Sequence, residues 1–193
     1  MSLVQIKDKL TDEQVLGKIT MVFQSHSYDA INTDQISCET GISATELRRW
    51  FPDGKKQMVN AILQRVESHF RHHILAPLSS TNEPLQRVDE MTERLKDHYL
   101  DGFGSCLLET LSIGNCQDEY KTHVTRLFNF WCNALITVAC ESGFTRIEAH
   151  ERAEQALVSI EGSLVFARIT GNNKPFLNSL NNLATLLIFQ RKI

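Results

Sequence analysis

The sequence predicts an all-α fold: an N-terminal three-helix module with a helix-turn-helix, followed by a larger C-terminal helical region. Three observations carry that prediction. Apolar residues recur at intervals of three and four along most of the chain, the spacing that lines one face of a helix. The apolar–polar alternation of a half-buried strand is scarce. Sparse glycine and proline punctuation falls between the helical runs.

The chain has 193 residues, 42% hydrophobic and 22% charged, which is enough apolar material for a real core. No run of about 18 apolar residues occurs, so no membrane span is expected. The opening MSLVQIKDKL lacks the basic and apolar blocks of a secretory leader, which points to the cytoplasm. Cys38, Cys106, Cys116, Cys132 and Cys140 make an odd count without a CxxC pair, against both a disulfide framework and a zinc ribbon. Reduced thiols are the expectation.

The first helix opens at Thr11, which with Gln14 has the spacing of a capping box. Its stripe runs Leu16, Ile19, Phe23, with Val15 and Val22 alongside, and it ends before the polar segment 25–29. Asn32 caps a short second helix, with Gln35 at the third helical position and Ile36 facing inward, and Gly41 closes it. Ser43 and Glu46 form another capping box and open a third helix, ATELRRWF, which Pro52 halts. A fourth helix starts at Asp53 or Gly54, carries Met58, Ile62, Val66 and Phe70 on one side, and ends near Pro77. The polar link SSTNEP follows. Five more helices are predicted over 84–101, 103–114, 117–142, 145–170 and 174–190. Gly102, Gly114, Gly143 and the turn Gly171-Asn172-Asn173 separate them, and Pro175 suits the first turn of the last.

The informative stretch is 28–58. Two short helices flank Gly41-Ile42-Ser43 in a helix-turn-helix layout, with Gly41 supplying the positive φ of a tight turn. Ile36, Ile42 and Leu47 would form the small core that sets the angle between them. The third helix then presents Ala44, Thr45, Arg48 and Arg49 outward, as a recognition helix does in a major groove. Net charge does not advertise this: residues 1–75 hold nine Lys/Arg and nine Asp/Glu. The positive charge is local, with Arg48, Arg49, Lys55 and Lys56 against Glu46 and Asp53. The competing reading is an ordinary helical hairpin with a solvated basic face. Agreement of caps, turn and basic residues favours DNA.

This stretch resembles the DNA-binding signature of the tetracycline-repressor (TetR) family: an aromatic, a Thr/Ser-capped helix, G-[VI]-S, then L-Y-x-[YH]-F-x-x-K. Here these are Tyr28, Asn32, Gly41-Ile42-Ser43, and Leu47-Arg48-Arg49-Trp50-Phe51 followed by Lys55. About 45 residues resemble the family at motif level, and the helical remainder does so in architecture. Ser27 replaces a frequent glycine, Ile31-Asn32 replaces a Thr pair, and Arg48 and Trp50 stand where tyrosines are common. Those departures bear on which operator is read. The resemblance implies a homodimer on double-stranded, palindromic operator DNA, contacted by Asn32, Thr33, Ser43, Ala44, Thr45, Arg48, Arg49, Trp50 and Lys55. It divides the chain into a DNA-binding domain (1–52), a connecting fourth helix and link (53–82), and a regulatory domain (83–193).

In that family the C-terminal helices enclose a ligand cavity and the last two pair with a second subunit. Ala153, Ala156, Ile160, Leu164 and Ala167, with Leu177, Leu180, Leu183 and Leu187, offer stripes for such pairing or for packing within one subunit. Phe103, Leu107, Phe128, Trp131, Leu135 and Glu161 are the candidates for a small hydrophobic or amphipathic effector. The runs GSCLLETL and SIEGSLVFAR are similar to the LmrA/YxaF-like branch, whose regulators often respond to drugs or flavonoids. The implied mechanism is repression by steric exclusion, relieved when a ligand favours a conformer with wrongly spaced recognition helices.

An enzyme is the rival class, and its signatures are missing from the sequence. His69, His72 and His73 share a helical spacing but no HExxH pattern, and no nucleophile elbow, phosphate loop or dinucleotide fingerprint occurs. No cofactor, metal or catalytic residue is expected. The alternative within DNA binding is a thiol-based redox or electrophile switch, with Cys116 at a helix start as the thiol best placed for a lowered pKa.

Overall fold

The computed structural model describes residues 10–104 and 117–189. Among these residues the chain is helical, with no strand. In order the helices are α1 (Asp12–Ser25), α2 (Thr33–Thr40), α3 (Ala44–Trp50), α4 (Lys55–His69), α5 (Pro84–His98), α6 (Gln117–Glu141), α7 (Arg146–Thr170), α8 (Lys174–Asn181) and α9 (Leu183–Leu187). The predicted helix over 103–114 lies almost wholly outside the described residues. The chain forms two compact units: one division falls between Gln64 and Arg65, inside α4, and the start of α6, to Tyr120, is grouped with the first unit. The predicted polar link at 79–84 lies beyond that division.

The first unit is built by local signals. Thr11, Asn32 and Ser43 each accept the N–H of the third helical residue, and Gln14, Gln35 and Glu46 each return a side chain to the cap residue's own N–H. Donors that a helix start leaves unpaired are thereby satisfied. Gly41 ends α2 at φ 68°, a left-handed conformation that side-chain-bearing residues adopt at a cost. Phe51, before Pro52, leaves the helical region at ψ 75°, which closes α3. The core is Ile19, Phe23, Ile36, Leu47, Met58, Val59 and Ile62, all fully buried. Each contributes about 1.5–3 kcal/mol by leaving water.

In the second unit the helices run on with fewer local instructions. The predicted fourth helix does not stay regular to Pro77. After His69 one π-turn spans Phe70–Ile74, closed by Leu75 N–H on Phe70 O at 2.8 Å, and a short 3-10 turn follows over Ala76–Ser79. The wider turn lets both Phe70 and Ile74 face inward. The predicted last helix is two helices broken at Asn182, because adjacent Asn181 and Asn182 favour side-chain bonds to the backbone over helix. Glu67 in α4 binds His123 of α6 at 3.0 Å and Arg126 of α6 at 3.2 Å, and lies 3.7 Å from Arg71. Arg87 of α5, almost wholly buried, pairs with Glu141 at the end of α6. Gly102 is required by packing, since a Cβ there would come within 2.9 Å of the Phe176 ring.

Candidate nucleic-acid interface

Successive residues of a helix are turned about 100° from one another, so Ala44, Thr45, Arg48 and Arg49 share one side of α3. Leu47 lies opposite and is fully buried, anchoring α3 to the core. Thr45, Arg48 and Arg49 are exposed and Ala44 is half-buried. Neither guanidinium is paired among the described residues. Trp50 falls on the other side of the helix and is half-buried. A short helix with two free guanidinium groups flanking a threonine can offer bidentate donors to guanine edges or phosphates.

Asn32 and Ser43 use their side-chain oxygens as helix caps, and Thr33 is half-buried at the first position of α2. Lys55 has a local role that the spacing of residues did not reveal. Its ammonium donates to the carbonyls of Tyr28 and Ile31, both at 2.7 Å, and sits 4.4 Å from the centre of the Tyr28 ring. The aromatic and the lysine of the motif therefore hold each other, and together they pin the backbone that enters α2. Lys18 does the corresponding work at the other end of α2, donating to Thr40 O at 3.0 Å.

Of the candidate effector residues, Phe103, Phe128, Trp131, Leu135 and Glu161 fall in the second unit. Trp131 and Leu135 of α6 are fully buried, and Phe128 is half-buried with its ring 6.3 Å from that of Trp131. The Phe70 and Trp131 rings are 5.4 Å apart. Phe103 is largely exposed, and Leu107 lies outside the described residues. Among the described residues the buried polar atoms without a hydrogen-bond partner include Trp131 Nε1 and Glu161 Oε1. Burial alone pushes the Glu161 carboxyl up to about 7.

The apolar stripe of α7 read from the sequence, Ala153, Ala156, Ile160, Leu164 and Ala167, is buried within the single chain. The opposite side of α7 exposes Ile147, Val158, Phe166 and Ile169, interspersed with polar residues such as Glu151 and Gln155. A cleft of about 910 Å³ runs beside it, lined by Glu151, Gln155, Asn178 and Asn182 among others.

The histidines near the end of α4 do not act as one group. His72 binds its own helix through Ser68 O at 2.8 Å, while His69 stacks near His73 and His98. Among the described residues no three His, Cys, Asp or Glu side chains are placed to hold a metal. Cys38 is exposed, and Cys132 is half-buried, its thiol pushed up by burial and by the Glu154 carboxylate. Cys106 and Cys116 lie outside the described residues. No helix among the described residues is long and apolar enough to cross a membrane.

No family model matches the chain. It is 22% identical over 172 residues to the HTH-type transcriptional regulator YxaF of Bacillus subtilis, covering 86% of this chain and 88% of that protein. A TetR transcriptional regulator from Legionella pneumophila superposes with a TM-score of 0.78 at 16% identity, over 94% of this chain and 100% of that one. The regulatory protein TetR from Rhodobacter sphaeroides gives 0.76 at 16% identity, over 93% of this chain and 100% of that one. From its N-terminal helix-turn-helix to its last helices, this chain is built on the TetR-regulator fold.

Proposed function

We propose that the protein is a ligand-responsive transcriptional repressor that binds palindromic operator DNA as a homodimer. The observation that carries this reading is α3, a capped helix presenting Thr45, Arg48 and Arg49 to solvent from a fully satisfied turn. One such helix reads few base pairs, so specificity requires two of them a fixed distance apart. Ile147, Val158, Phe166 and Ile169, exposed along α7, support a second subunit that takes these side chains out of water. The unpartnered polar atoms in the second unit support an effector site, because buried polar groups are paired in nearly all stable proteins. Effector binding releases DNA by favouring a conformer whose recognition helices no longer match successive grooves. A preference of about 1–3 kcal/mol weakens DNA binding roughly 5–150-fold.

The test is selection of randomised duplex DNA on the purified protein. Enrichment of a palindrome is the expected result. No enrichment at low salt without ligand would overturn the reading.

A further inference from the structure

The burial pattern around α3 fixes which direction on that helix is outermost. Leu47 is fully buried, and Ala44 and Trp50, about 60° to either side of it, are half-buried. The direction opposite Leu47 is therefore the outward centre. Thr45 and Arg49, one turn apart and both exposed, lie within about 20° of that centre. Arg48 and Glu46 lie about 80° off it, on opposite flanks. Glu46 is engaged as the capping partner of Ser43. The two arginines are adjacent in the chain but stand in different places, Arg49 at the centre and Arg48 at the edge.

A major groove is about 12 Å wide, and a helix with its side chains is about 10–12 Å across. A helix seated there turns its outward centre to the base edges and its flanks to the phosphate-lined walls. At the centre, a guanidinium offers a planar fork of donors that matches guanine O6 and N7 together. Thr45, about 6 Å back along the axis, faces base edges beside the one that Arg49 meets. At the flank the partner is a phosphate, for which charge matters more than the identity of the base.

We propose that Arg49 determines the specificity of the operator half-site by reading one guanine, and that Arg48 is a phosphate clamp that adds affinity without sequence preference. This rests on the operator-binding reading above and divides its labour between two residues that the sequence motif leaves equivalent. Both side chains are exposed, so replacing either leaves the core closed. The test uses the full chain and the palindrome selected by the unaltered protein. A panel replaces each base pair of it symmetrically in both half-sites. Arg49→Ala and Arg48→Ala are titrated on that panel at low salt, where phosphate contacts keep weakened variants bound. In the unaltered protein, replacing the guanine should cost about tenfold or more. In Arg49→Ala the same replacement should cost less than about threefold, with the penalties at other positions kept. Arg48→Ala should weaken every member of the panel alike and keep the guanine penalty. Its plot of log affinity against log salt should be shallower by about two per dimer.

A palindrome with no guanine whose replacement is costly overturns the assignment before any variant is made. A guanine penalty that persists in Arg49→Ala overturns it, and so does one that vanishes in Arg48→Ala. Loss of discrimination at every position in Arg49→Ala overturns it as well, since a residue reading one guanine does not carry the whole site. Each of these outcomes leaves operator binding intact and removes only the division of roles. Failure of the unaltered protein to select any palindrome at low salt removes operator binding itself, and the assignment with it.

Discussion

The two units of this molecule are organised in opposite ways. In the first, the polar groups that matter for shape are paired locally. Three reciprocal caps close helix starts, Lys55 and Lys18 tie backbone carbonyls at the two ends of α2, and Gly41 takes up the left-handed turn. What is left over is α3 with two free guanidinium groups. In the second unit unfilled valences lie inside, Trp131 Nε1 and Glu161 Oε1 among them, and α7 leaves Ile147, Val158, Phe166 and Ile169 in solvent. The first unit finishes its own interior, whereas the second keeps part of its interior, and some apolar surface, unfinished.

Removing the free cations tests that contrast most severely. Arg48→Ala with Arg49→Ala is expected to cost about 2–6 kcal/mol in specific DNA binding, each residue contributing about 1–3. The melting temperature and the dimer should be unchanged. A gel-shift titration on the selected palindrome checks this, and unaltered affinity would displace α3 as the reading helix.

The unfinished face of α7 is tested by Val158→Lys with Ile169→Lys, both residues more than 70% exposed in the single chain. Dimer dissociation in sedimentation should strengthen by about 2–4 kcal/mol, with helicity retained. Loss of helicity with an unchanged association constant would mean that these residues serve the monomer.

Glu161 makes stability depend on pH in a defined direction. Its folded carboxyl sits at about 7 against an ordinary 4.5, so the native state holds a proton that the unfolded chain has released. Stability therefore falls as pH rises from about 4.5 to 7 and is level above that window. Glu161→Gln cannot titrate there. Its advantage over the unaltered protein should open across the same window and reach about 3 kcal/mol by pH 8, measured by urea unfolding. A constant difference from pH 4 to 8 would show that burial of this group is not what strains the site.

The smallest expected effect lies in the finished unit. Gly41→Ala places a side chain at φ 68° with nothing within 4 Å to clash, so only backbone strain remains, about 1–2 kcal/mol of stability. DNA affinity should fall by less than the double arginine variant, because the turn survives in strained form.

Much of the first unit was legible in the sequence because its determinants are three residues apart. Thr11 and Gln14, Asn32 and Gln35, Ser43 and Glu46 announce helix starts through contacts that no distant residue can alter. The glycine turn and the proline stop are equally local. The outward side of α3 follows from the position of Leu47 alone. Lys55 marks the limit: its place in the motif was visible, but its grip on Tyr28 and Ile31 was not, since the partners lie 27 and 24 residues away.

In the second unit tertiary structure decided more. The apolar stripe of α7 that the sequence offered for subunit pairing is consumed by the chain's own core, and the available face is the opposite one. Periodicity reports that a side of a helix is apolar but carries no information on which neighbour covers it. Glu67 meeting His123, 56 residues on, left no trace in any local pattern. Nor could spacing show that Glu161 is buried without a partner, since that depends on which helices close around it. The sequence by itself determined helix starts, stops and the outward face of α3, because these are energies of neighbouring residues. Only the tertiary structure decided which polar groups remain unpaired and which apolar face remains open, because those are properties of packing between helices far apart in the chain.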